Sequence, residues 1–255
     1  MVKIIACYKW VLDEADININ DDLSVDLTKA KGKISDYDKN VIEVAVKAAS
    51  AVSGKACGLT FGDAKAKLSL KDALSRGLEE AYYVNAEEAV QADGAVTARA
   101  LTAAIKNIDE VGLIVCAEGA SDTYQRQIAP RLGAMLDIPV ITSVRELEIE
   151  DNTITAVRKL EDCQQTVKVE IPAVISVLPE ICNPPIPGLK AVMSASKKPV
   201  TEYKAGDLDV DLTAKTTVTR LKGYKMNRKN IILSEGTASE KVKTLVDSLR
   251  KEGVL

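Results

Sequence analysis

The 255-residue sequence contains no histidine, so the usual general base and the commonest metal ligand are both missing. Its five cysteines, Cys7, Cys57, Cys116, Cys163 and Cys182, are odd in number and show no CxxC spacing. That pattern argues against a disulfide framework, a zinc site or an iron–sulfur cluster, and the thiols read as reduced. There is no GxGxxG, no GxxxxGK[ST] and no nucleophile elbow, so the common phosphate-binding and catalytic motifs are absent. Neither a catalytic residue nor a metal site is expected. A net charge of only −3 offers no basic field for nucleic acid. No window is long and apolar enough to span a bilayer, and the opening MVKIIACYKW has no secretory pattern, so the expected location is the cytoplasm. Aromatic residues are only 4% of the chain, which leaves the core to Val, Ile, Leu and Ala.

What is present is an alternation. Short apolar runs at 3–9, 55–61, 80–84 and 111–116 are each followed by a segment of helical spacing, at 38–52, 64–76, 94–107 and 122–136. In the first helix Val41, Val44, Ala45 and Ala48 share one face. This is the βαβα pattern of a mostly parallel sheet with helices on both faces. Ser35 with Asp36, Asp93, and Ser121 with Asp122 are positioned as helix starts. In such folds these starts follow the carboxyl ends of strands, where nucleotides bind. Residues 16–27 pattern as a small hairpin. After Pro139, the runs 144–149, 153–158, 165–170 and 173–178 suggest antiparallel strands that complete a mixed edge. The Pro-rich stretch 182–200 reads as an exposed loop leading to a short helix. Residues 201–233 show little periodicity, and 237–252 form an amphipathic helix.

Four segments read together carry a resemblance: the opening strand with Cys7, Lys9 and Val11; ISDYDKNVIEVA at 34–45; AEGASDTYQRQIAPRLGAMLDIP at 117–139; and RKLEDCQQTVKVEIPAVISV at 158–177, followed by the Pro-rich loop. Their order and spacing resemble the β (small) subunit of electron-transfer flavoproteins of the nitrogen-fixation and fermentative type, along essentially the whole chain. The most specific stretch is 156–176, which departs from the family signature at Cys163.

The resemblance implies an adenine-nucleotide pocket. Ser35, Asp36, Tyr37 and Asp38 occupy the places of the family's nucleotide loop, and Cys7 and Phe61 the places that flank the adenine, with Lys9 beside them. Ala117, Glu118 and Gly119 would form a pocket wall, Asp122 a helix start, and Arg126, Gln127 and Ile128 its first turn. From local sequence alone, a capped helix and ordinary core residues account for these positions equally well. Family members hold either FAD or a structural AMP here. QIAP at 127–130, together with Asp93 and Thr97, is similar to the FAD-holding class, so FAD is the expected cofactor and AMP the alternative.

Leu189, with Ile186 and Met193 beside it, falls in the family's partner-recognition loop, and Lys197 and Lys198 behind it either steer association or form a solvated end. The implied organisation is a nucleotide-binding α/β domain at 1–180, a recognition loop at 181–200, and an arm and helix at 201–255 that grip the α subunit. The implied role is electron transfer in a heterodimer with that subunit. A partner flavin-dependent dehydrogenase takes part, with NADH and ferredoxin as further partners if electrons are bifurcated. The chain would then be a carrier subunit rather than a stand-alone enzyme. A non-redox adenine-nucleotide-sensing module is the reading from another class.

Overall fold

A computed structural model describes residues 1–224 and 228–255. In chain order the elements are β1 (Lys3–Cys7), β2 (Trp10–Leu12), β3 (Asn18–Ile19), β4 (Val25–Asp26), β5 (Gly32–Ile34), α1 (Asp36–Ala51), β6 (Lys55–Gly62), α2 (Ser69–Ser75), β7 (Glu80–Asn85) and α3 (Gly94–Lys106). They continue with β8 (Val111–Ala117), α4 (Ile128–Leu136), β9 (Val140–Glu150), β10 (Thr153–Lys159), β11 (Gln164–Glu170), β12 (Ala173–Val177), α5 (Leu189–Ala195), β13 (Val200–Lys204) and α6 (Ala238–Lys251). The chain divides into two compact units. One comprises residues 1–18 and 26–220, the other 19–25 and 221–255.

The larger unit is built on a sheet of order β11-β10-β9-β12-β8-β1-β6-β7-β13. Strands β12, β8, β1, β6, β7 and β13 run parallel to their neighbours, while β9, β10 and β11 form an antiparallel extension. Each central strand is buried on both sides, as parallel strands covered by helices must be. One face packs Ile4, Ala6, Leu113 and Val115 against Val41, Ile42, Ala45 and Ala48 of α1. The other packs Ile5, Leu59, Ile114 and Val174 against Val96, Leu101 and Ala104 of α3 and Leu132 of α4. The expected face of α1 is thus its buried one.

Several expectations need correction. The run 173–178 is not an antiparallel edge strand: β12 is central and parallel, between β8 and β9. Its unbroken buried pattern, Ala-Val-Ile-Ser-Val, is what two-sided burial requires. The segment at 64–76 opens with a 3-10 turn at Ala64–Leu68 before α2 begins. Residues 200–204, of which 201–204 were read as aperiodic, form the edge strand β13, where Tyr203 stacks on Tyr82 with ring centroids 6.4 Å apart.

The Pro-rich loop is tied at both ends. Asn40 Nδ2 donates to the carbonyls of Pro179 (2.9 Å) and Cys182 (2.5 Å). Lys198 Nζ donates to the carbonyls of Leu74 (2.8 Å) and Leu78 (2.6 Å) at the end of α2. Lys198 is therefore neither a solvated end nor a steering charge. Burial pulls its ammonium below the usual lysine range.

Beyond β13 the chain returns across α3. Leu208 and Leu212 are buried, Arg99 donates to the carbonyls of Asp211 (2.7 Å) and Thr213 (2.9 Å), and Thr216 Oγ1 donates to Asp93 (3.2 Å).

In the smaller unit, Gly223 N donates to Leu23 O (2.8 Å), and a side chain at Gly223 would collide with Ile19. Helix α6 starts in a reciprocal cap between Thr237 and Glu240, which fixes two otherwise unpaired donors. Leu221, Tyr224, Ile231 and Ile232 are exposed.

Candidate functional site

Strand β1 is flanked by β6 on one side and β8 on the other, so the chain winds outward in both directions from it. Where two parallel strands diverge in this way, their carboxyl ends leave a crevice between the connections. The crevice here is a partly open cleft that encloses about 150 Å³. Its floor is Cys7 at the end of β1 and Cys116 at the end of β8, with Phe61 from β6. Asp38 of α1 and Lys9 close one side; Asp93, Gly94 and Thr97 at the start of α3 close another. The wall is Ala117, Glu118, Gly119, Arg126, Gln127 and Ile128.

The residues singled out in five separate stretches of sequence are thus brought to one cleft, apart from Ser35, Asp36, Tyr37 and Asp122. Ser35 stands at the N-cap position of α1, but its side chain makes no cap bond. Its Oγ accepts from Ser121 N (3.2 Å) and stitches the loop after β8 to the start of the helix. Asp36 is the first residue of α1, bonded to Lys33 (2.8 Å) and Lys39, and these ammonium partners hold its carboxyl below the usual range. Tyr37 lies against the Tyr124 ring, with centroids 5.3 Å apart. Asp122 pairs with Lys9 Nζ and accepts from Thr123 N (2.8 Å).

The expected helix at 122–136 begins only at Ile128, so Asp122 starts no helix and Arg126 lies in no helical turn. The loop takes left-handed conformations at Tyr124 (φ 46°) and Arg126 (φ 57°). It is held by Tyr124 hydroxyl to Glu118, by Arg126 to Glu118 at 3.3 Å, and by the Arg126 guanidinium 4.8 Å from the Tyr124 ring centre. These contacts turn Arg126 toward its own loop. Gly119 permits the fold, since a Cβ there would sit 2.8 Å from Tyr124.

At the start of α3, Asp93 is the N-cap, its Oδ1 accepting from Ala95 N and Val96 N at 2.9 Å. The Thr97 hydroxyl donates to Asp93 O at 3.0 Å. Gly94 lets the next loop approach: a Cβ there would meet Gln127 Oε1 at 2.7 Å. Gln127 Oε1 accepts from Arg131 Nε (3.2 Å) and Nη2 (3.1 Å).

Asp38 is the buried carboxyl of the site. Its side chain is closed off from solvent, and Oδ2 accepts from Lys9 N at 2.7 Å. Burial pushes its carboxyl up to about 8, opposed by the Lys9 amide. On the floor, the neighbouring Cys7 thiol and burial raise the Cys116 thiol. Cys116, Gly94, Thr123 and Gln125 also line the cleft and were not anticipated. The readable signal for Cys116 and Gly94 was position, at a strand end and just after a cap.

Among the described residues, no group of three Cys, Asp or Glu is arranged to hold a metal ion, and no helix is long and apolar enough to cross a membrane.

The fold and its crevice define an α/β protein with a cleft at the strand ends. The electron transfer flavoprotein domain matches residues 22–208, well over half of the chain. The chain belongs to the electron transfer flavoprotein family.

Proposed function

We propose that this chain is the β (small) subunit of an electron transfer flavoprotein and that its cleft binds FAD. In this reading it relays electrons as a heterodimer with a larger α subunit that carries another flavin. The observation that carries this is the convergence of residues from β1, α1, β6, α3 and the loop after β8 on a single crevice at the β1–β8 divergence. FAD, when bound, supplies a carrier able to take two electrons together and release them singly.

The residues contribute shape and shielding. Cys7, Phe61 and Cys116 give an apolar floor. Gly94 and Gly119 allow the walls to close in. The open start of α4 at Ile128 offers amide donors to an anionic group. The donor is NADH, and the electrons divide between ferredoxin and a flavin-dependent dehydrogenase.

Residues 1–180 form the nucleotide-binding domain, 181–200 the dehydrogenase-recognition loop and 201–255 the arm that grips the α subunit. Ile186, Leu189 and Met193 are exposed on a loop anchored at both ends by Asn40 and Lys198, which suits an interface anchor. The exposed Leu221, Tyr224, Ile231 and Ile232 suit an arm that is covered by another chain.

One observation favours AMP in place of FAD. Thr97, which argued for a diphosphate, gives its hydroxyl proton to Asp93 O, and the Asp93 carboxylate is engaged by α3 and by Thr216.

Co-purifying the chain with its α subunit, then combining a visible spectrum with mass spectrometry of the released nucleotides, tests the reading. Two FAD per heterodimer is the expected result; one FAD with one AMP removes bifurcation but keeps the subunit assignment. No flavin and a stable monomer would favour a nucleotide-sensing module. Replacing Leu189 with Ala is expected to slow electron transfer to the dehydrogenase with nucleotide content unchanged.

A further inference from the structure

A buried carboxyl in a ligand cleft needs either a cation beside it or a proton on it. The charged groups around Asp38 are otherwise engaged. Lys9 Nζ, from the β1–β2 connection, pairs with Asp122 of the loop after β8. Arg126 pairs with Glu118 in that same loop. Asp93 caps α3. Cys7 and Cys116, which also line the cleft, are uncharged thiols. Asp38 therefore accepts from one donor, the Lys9 amide on Oδ2, and the residue lines the cleft.

We propose that Asp38 selects the base of the bound nucleotide, acting as a neutral carboxylic acid that donates a hydrogen bond through Oδ1 to a ring nitrogen of adenine. The proposal rests on the adenine-nucleotide reading of the cleft. A carboxylic acid kept neutral by an apolar setting is a hydrogen-bond donor, a role that a carboxylate cannot fill. The direction of its titration, raised by burial, fits this role at neutral pH. A base that offers a lone pair is bound; once Asp38 ionises, its negative charge faces that lone pair and binding weakens.

The test measures binding of AMP as the probe by calorimetry, using the full chain freed of nucleotide, from pH 7 to 9.5. Over that window the phosphate is already doubly ionised, its second ionisation lying near about pH 6. The wild-type affinity is expected to fall above a pH of about 8, approaching about tenfold per unit. Asp38→Asn keeps a donor without an ionisable proton, so it should bind within about threefold of wild type at pH 7 and show no alkaline fall. Asp38→Leu should bind about tenfold or more weakly at every pH.

A second readout is thermal unfolding. A raised carboxyl stabilises the fold fully below its ordinary value of 3.8 and loses that contribution as pH rises through about 8. Asp38→Asn should therefore melt higher than wild type at pH 9. A wild-type affinity that stays level through pH 9.5, or an equal fall in Asp38→Asn, overturns the assignment of Asp38 while leaving the nucleotide site standing. Absence of AMP binding at every pH overturns the nucleotide reading and the role of Asp38 with it.

Discussion

Helices α3 and α4 both begin on the cleft, yet they are started by different means. Helix α3 is started locally: Asp93 caps it through two backbone amides and also receives the returning chain at Thr216. Helix α4 has no side-chain cap at Gln127 and is positioned by packing, with Leu132 fully buried and Gly133 pressed against Val140. A capped start has its donors occupied; an uncapped one leaves them for a ligand. The start of α4 is thus the better place for an anionic group, although Asp93 and Thr97 were the residues that pointed to one.

This contrast can be broken by substitution. The largest effect should come from Leu132→Ala, which opens a cavity under α4 and should cost about 2–5 kcal/mol in urea unfolding. Gly133→Ala forces a Cβ to within 1.8 Å of Val140 Cγ2; overpacking of this kind should cost about 1–3 kcal/mol, with α4 displaced from β9. Asp93→Ala removes the cap of α3 and should cost about 1 kcal/mol, with faster amide exchange at Ala95 and Val96. The smallest effect is expected from Arg126→Ala, about 0–1 kcal/mol, because its ion pair with Glu118 is largely solvated on the arginine side. A loss above 2 kcal/mol at Arg126 would mean that its loop, rather than the core beneath α4, sets that helix.

The same contrast explains what could be read from the sequence. The α3 start was legible because an N-cap acts within three residues, and Asp93 was identified as one. The α4 start was misplaced by six residues, from Asp122 to Ile128, because the intervening loop is shaped by Tyr124, Glu118, Arg126 and Tyr37. Contacts of that kind leave no local pattern. Strand β12 was recognised as a strand but given the wrong neighbours, although its continuous apolar run was compatible with a central parallel position. Strand β13 was missed because an exposed edge strand of five residues has no buried face to impose an alternation. Most of the cleft was anticipated because strand ends and helix starts converge by topology. Ser35, Asp36, Tyr37 and Asp122 were expected there but do not line it, because each engages a neighbouring protein group.

The clasp at Lys198 has a consequence for salt. An ammonium bonded to two backbone carbonyls at a helix end has no mobile counter-charge whose attraction dissolved ions would screen. Even in concentrated brine, the stem that carries Leu189 should therefore keep its pitch relative to α2, so any salt sensitivity of docking would arise from the surfaces that meet there and not from a loosening of the stem.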